Sequence, residues 1–130
     1  MVYYEYVITS YSEVLYKSRC IMELNKEVLK GHIDTLILAI LDEEDSYGYE
    51  IAKTVREKTT FELKDGTMYV SLKRLESKGL IKSYWGSEQG GGSRRKYYHI
   101  TDEGKEALDI KAKEWNFVQN IMNEFLKGRL

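Results

Sequence analysis

From Leu29 onward, apolar residues return along the chain at steps of three and four. Ile33, Leu36, Ile37, Ile40 and Leu41 fall on one side of a 3.6-residue turn, the stripe of a helix that faces a core. The stripe stops at the acidic run "DEED", residues 42–45. Ser46 then offers an N-cap for a second helix, with Ile51, Ala52 and Val55 turned inward. A third helix is predicted from Asp65 to Gly79, a residue type that commonly ends helices. On it Met68, Leu72 and Leu75 share one face, while Thr67, Ser71, Arg74 and Lys78 share the opposite one; Tyr69 and Lys73 lie on the flank.

The period then changes. Residues 81–85 and 97–100 are rich in aromatic and β-branched residues and read as two short strands of a hairpin over residues 80–101. Gly90, Gly91 and Gly92 suit its tip, where backbone freedom is useful, and Arg94, Arg95 and Lys96 make the return arm positive. Thr101 caps a last helix from Asp102 to about Lys127, with Asp102 and Glu103 well placed in its first turn. In its second half Trp115, Val118, Met122 and Phe125 follow a 3-4-3 step, and Phe117, Ile121 and Leu126 widen the stripe. So broad an apolar face on a small domain predicts a contact, here symmetric dimerisation. At the other end, Ser10 and Glu13 fit a capping box that starts a helix from about Tyr11 toward Lys26.

The pattern defines a fold class that is mainly α with a small β-hairpin. Residues 29–101 form a winged helix-turn-helix domain, residues 1–28 a helical N-terminal extension, and residues 102–130 a dimerisation helix. In such a domain the second helix of the motif enters the major groove, and the wing lays cations along the neighbouring backbone.

Charge sharpens that picture. The 130 residues carry a net charge of −1, yet residues 1–63 hold 7 basic against 12 acidic side chains and residues 64–99 hold 8 against 3. Positive charge is therefore gathered in the third helix and the hairpin, as a nucleic-acid surface requires. No run approaches the roughly 18 apolar residues of a membrane span, and no export signal is legible. Cys20 is the sole cysteine, so a reducing cytoplasm is the expected location.

The side chains of an active site are missing from the pattern. His32 and His99 lie in different elements without a second ligand at metal spacing, and Cys20 has no companion. "GGGSRR" lacks the glycine-lysine-serine/threonine ending of a phosphate loop, and the acids of "DEED" point different ways on a solvated helix end. The reading is of a protein that is not an enzyme and uses no metal or cofactor.

The stretches "LKGHIDTLILAIL", "SYGYEI", "DGTMYVSLKRLESKGLI" and "GGGSRRKYYHITDEGKEAL", with a tryptophan in the last helix, together resemble the PadR family of bacterial transcriptional regulators. The resemblance runs from about Leu29 to Phe125. The family pattern usually has leucine at Met68 and proline at Val70 and Ser93, so this chain departs from it at three places. The resemblance implies a homodimeric winged-helix protein that binds double-stranded DNA, usually a repressor released from a palindromic operator by a small molecule. Carried over by position, Thr67, Tyr69, Ser71, Lys73 and Arg74 would face DNA from the recognition helix, joined by Lys78 from the helical pattern and by Arg94, Arg95 and Lys96 from the wing. Tyr47 and Tyr49 match paired tyrosines at the start of the second helix, as packing residues or as phosphate contacts. Trp115 matches a tryptophan that lines an effector cavity for planar aromatic molecules in some relatives; here it reads more readily as a residue of the dimer core, with Val118, Met122 and Phe125, because an aromatic stripe at helical spacing is core more often than a ligand site. A second class of function stays open, that of a winged helix which binds another protein and not DNA.

Overall fold

The computed structural model describes residues 28–87 and 94–130. The helix expected between Tyr11 and Lys26 and the glycine tip of the hairpin lie outside the described residues.

Helix α1 (Ile33–Glu43) is the hub of the domain and buries Ile33, Ile37, Leu38 and Leu41. It touches α2 (Gly48–Thr59), α3 (Asp65–Ser77) and strand β3 (Lys96–Ile100). Because neighbours approach from several sides, its buried arc is rotated from the expected stripe: Leu38 is fully enclosed, whereas Leu36 and Ile40 are partly exposed. The remaining core comes from Ile51 and Val55 of α2, Met68, Leu72 and Leu75 of α3, and Leu63, Ile81, Tyr98 and Ile100.

The start of α2 differs from the sequence expectation. Ser46 does not cap the helix; with Tyr47 it forms strand β1 (Ser46–Tyr47), and its hydroxyl donates to the Glu44 carbonyl at 3.4 Å. Pairing with β3 (Ser46↔Tyr98, Tyr47↔Tyr97) draws both residues into the sheet. The cap moves one residue on, where the Tyr47 N–H donates to Glu50 Oε1 at 3.4 Å.

Helix α3 ends as its glycine foretells. Gly79 has a φ of +74°, closed to most side chains, and lets the Leu80 N–H reach the Leu75 carbonyl and the Gly79 N–H reach that of Glu76, both at 3.0 Å. Strand β2 (Ile81–Trp85) follows, and the antiparallel sheet has the order β1-β3-β2. The long helix α4 (Asp102–Leu126) comes last. Thr101 caps it, its Oγ1 accepting from the Gly104 N–H at 3.0 Å while donating to the Gly79 carbonyl at 2.7 Å. One hydroxyl thus joins the end of α3 to the start of α4.

The chain separates into a compact unit, Gly31–Lys111, and a second to which Ala112–Leu130 belongs. The first unit takes in the opening turns of α4, where Ala107 and Leu108 pack on the core. In residues 112–130, Trp115, Val118, Met122 and Phe125 are exposed by 50%, 45%, 50% and 82%, and Phe117 and Ile121 beside them by 66% and 41%. Among the described residues no helix is long and apolar enough to cross a membrane.

Gly104 is fixed by a close approach: a Cβ there would overlap the Leu80 carbonyl oxygen and come within 2.7 Å of Ile100 Cγ1. Gly66, in the first turn of α3, has nothing within 4 Å of the same position. Gly104→Ala is therefore expected to lower stability by about 1–3 kcal/mol through overpacking. Gly66→Ala should be neutral or stabilising by up to about 1 kcal/mol through helix propensity. Urea unfolding of the two variants measures the contrast, and equal midpoints would contradict it.

Candidate nucleic-acid interface

With Met68, Leu72 and Leu75 in the core, α3 turns Gly66, Thr67, Tyr69, Val70, Lys73, Arg74 and Lys78 to the surface. One of the residues expected to face DNA, Ser71, is buried, and a second, Arg74, is exposed but already paired. Ser71 is 2% exposed, because its small side chain lies where α3 meets α1. Arg74 stays exposed at the surface while pairing with α1: Nε and Nη2 donate to the two oxygens of Asp34, at 3.0 and 2.8 Å, and Nη2 also donates to Ser71 Oγ at 3.1 Å. This is the paired fork geometry in which guanidinium and carboxylate bind most strongly. Burial pushes the Asp34 carboxyl up, but hydrogen bonds and charge from Arg74 outweigh it, aided by Ser71 and Lys111, and hold it below its ordinary value. Arg74 is thus a strut between α1 and α3. Val70 is the reverse case, an apolar side chain left 62% exposed on the surface that was expected to be small and cationic. The signal for it was present as the departure from the usual proline.

The wing is fastened to the start of α2 by tyrosines. Register sets Tyr47, Tyr97 and Tyr84 side by side across the three strands, on the face away from the core. Tyr47 and Tyr97 meet edge to face at 5.4 Å between centroids, Tyr97 and Tyr84 stack at 5.7 Å, and Tyr49 continues the row at 6.4 Å from Tyr47. The Arg95 guanidinium lies 4.7 Å above the Tyr47 ring. At the same place α3 arrives from the other side: a Cβ on Gly48 would come within 2.7 Å of the Tyr69 hydroxyl. A wing cation and a surface residue of α3 therefore converge on two adjacent residues, Tyr47 and Gly48.

Asp45 locks the outer face. Its carboxylate accepts from the Tyr84 hydroxyl at 2.5 Å and lies 2.7 Å from His99 Nδ1. Burial raises the Asp45 carboxyl, but the bonds from Tyr84 and His99 prevail and bring it below its usual range. The acidic run 42–45 is expected to be a solvated helix end, and Asp45 departs from that description because β1 brings it opposite His99. Arg94, Arg95 and Lys96 are all exposed on the return arm, and Lys96 Nζ lies 5.9 Å from the Tyr98 ring centroid. Among the described residues no group of three or more His, Cys, Asp or Glu gathers in a way that could hold a metal ion.

Three helices, a three-stranded wing sheet, and a wing cation brought against the helix-turn-helix define a winged helix of the DNA-binding class. Comparison with known proteins carries this to a family. The sequence model of the transcriptional regulator PadR-like family matches residues 37–110. A PadR family transcription regulator from hypervirulent Clostridium difficile R20291 is 60% identical, with a TM-score of 0.68 over 73% of this chain and 98% of its own. A transcriptional regulator from Clostridium thermocellum is 45% identical, with a TM-score of 0.71 over 78% of this chain and 99% of its own. An uncharacterised protein of Lysinibacillus sphaericus is 39% identical over 81% of this chain and 97% of its own length. The chain belongs to the PadR-like family of transcriptional regulators, which are DNA-binding proteins and not enzymes.

The Tyr84–Asp45 bond gives the wing a spectroscopic handle. Hydrogen bonding to Asp45, then burial, then the Asp45 charge and Tyr97 push the Tyr84 phenol from 10.0 up to about 12. A phenol whose folded value is raised contributes stability in full below pH 10, and that contribution is lost as pH climbs from 10 toward 12. Phenolate absorbance should therefore show a late-titrating tyrosine in the folded protein that Tyr84→Phe removes and Asp45→Ala shifts down. An unchanged late amplitude in both variants would contradict the bond.

Proposed function

We propose that this regulator acts as a homodimeric repressor on a near-palindromic operator. Each protomer lays the exposed side of α3 in a major groove and the wing arm on the flanking backbone. Within α3 the residues offered to DNA are Gly66, Thr67, Tyr69, Val70 and Lys73, with Lys78 near its end. Arg74 and Ser71 act behind them, holding the helix against α1. From the wing, Arg94, Arg95 and Lys96 take phosphates. The observation that carries this reading is the meeting of Arg95 and Tyr69 at Tyr47–Gly48, which supports one duplex touching both elements.

The dimer is supported by the exposed apolar stripe at Trp115, Val118, Met122 and Phe125, broader than a lone helix leaves in water. Light scattering at micromolar concentration should give the mass of two chains, and Val118→Glu with Met122→Glu should halve it; a wild-type monomer overturns the dimer. A flat aromatic effector stacking on Trp115 within that contact would relieve repression, a reading supported by the family resemblance and the half exposure of the ring.

DNA binding is tested through salt. The protein should be retained on random duplex at low salt, whereas a winged helix that serves a protein partner would flow through. Arg94→Ala with Arg95→Ala should lower the slope of log affinity against log salt by about 1–2 units, near 0.9 for each phosphate no longer neutralised, and Lys73→Ala by about 1. Arg74→Ala should leave the slope nearly unchanged and lower stability instead, because Asp34 already meets its charge. A slope that drops for Arg74 and holds for the wing pair would reverse the assignment.

A further inference from the structure

The wing has two faces, and the tyrosine row uses only the outer one. On the inner face the register aligns Ile81 with Ile100, Ser83 with Tyr98, and Trp85 with Lys96. The first two pairs lie against the domain. Ile81, Ile100 and Tyr98 are buried, and the Ser83 hydroxyl donates to Glu76 of α3 at 2.6 Å. Burial raises the Tyr98 phenol, and Glu76 and Tyr69 of α3 add to it, so α3 is the element this face looks upon. The third pair continues the same face past the last core residue. There Trp85 stands 57% exposed opposite Lys96, whereas Arg95, one residue earlier, turns to the outer face over Tyr47.

An indole in that setting is poorly explained by packing. It is the most costly side chain to leave in water, and the core ends one residue pair earlier. The residue paired with it on the same face is the cation Lys96, the charge a polyanion complements. An indole also offers a flat apolar surface for a sugar ring and one N–H for a phosphate oxygen.

We propose that Trp85 is a DNA-contact residue of the wing, packing against the deoxyribose-phosphate edge of the duplex while Lys96 beside it takes the phosphate. The proposal rests on the DNA-binding reading above and adds to it a contact without charge. Such a contact contributes affinity while releasing no counterions, so it separates from the arginines in a salt titration.

The test is duplex titration of the full chain by fluorescence and anisotropy. Trp85→Ala should weaken binding about tenfold, as expected when one well-packed aromatic side chain is removed from an interface, and the log affinity line should move down in parallel with its slope unchanged. Trp85→Phe should keep most of the affinity. In the wild type, saturating duplex should shield a tryptophan from acrylamide quenching, and Trp85→Phe should abolish that protection. The protection needs no disruptive variant, so it stands even if the alanine protein folds poorly. Wild-type binding with no shielding, or with an alanine variant within about twofold of wild type, overturns the Trp85 contact alone. Failure of the wild type to bind duplex at low salt overturns both this contact and the reading beneath it.

Discussion

The surface of this regulator depends on a single junction, the peptide between Tyr47 and Gly48. Tyr47 gives its backbone to β1, its N–H to the capping carboxylate of Glu50, and its ring to Tyr97, Tyr49 and Arg95. Gly48 gives only the absence of a side chain, and into that space the Tyr69 hydroxyl descends from α3. Strand, helix cap, wing cation and recognition helix are thereby registered against one another over two residues. A larger residue at Gly48 would have to displace the tip of Tyr69, and the displacement would be felt on the exposed face of α3.

Charge is arranged by the same economy. A count of cations over residues 64–99 makes α3 appear a source of positive potential. The Asp34–Arg74 pair changes that account, since the arginine nearest the helix end is already matched by a carboxylate at two points. What α3 leaves exposed beside it is Lys73, Thr67, Tyr69 and Val70, with Lys78 just past its end. Such a surface suits contacts of shape and with methyl groups more than attraction to phosphate. On the function proposed above, the attraction falls to the wing, and specificity and affinity are divided between the two elements.

Much of this was legible in the chain because periodicity reports on burial. The three helices, the hairpin and the last helix lie within a residue or so of the expected places, and Thr101 and Gly79 begin and end elements through side-chain and backbone chemistry that is local. Most of the failures share a cause. Ser46, Arg74 and Asp45 each have their role decided by a partner distant in sequence: β3 for Ser46, α1 for Arg74, and the wing strands for Asp45. On a helical wheel Ser71 stands only about 60° from Met68 and about 40° from Leu75, at the border of the apolar stripe and not opposite it, so its burial follows from its position, while Val70 is the residue that lies opposite. A carboxylate forty residues upstream carries no periodic signal that would announce its arginine.

The two faces of the wing make different physical demands, and the sequence meets them with different aromatics. The outer face must hold its shape with no core beneath it, so it uses phenols that stack on one another and are tied at the end by Asp45. The inner face is anchored by Ile81, Ile100 and the Ser83–Glu76 bond, and needs no such ladder. Stiffness from the outer face would hold the exposed indole and lysine of the inner face in place beyond the core. Were the tyrosine row loosened, the cations of the arm would still attract a duplex, because charge acts at a distance. A packed contact does not survive a shift of an ångström. Loss of the row should therefore spare the ionic part of binding and remove the part that depends on fit.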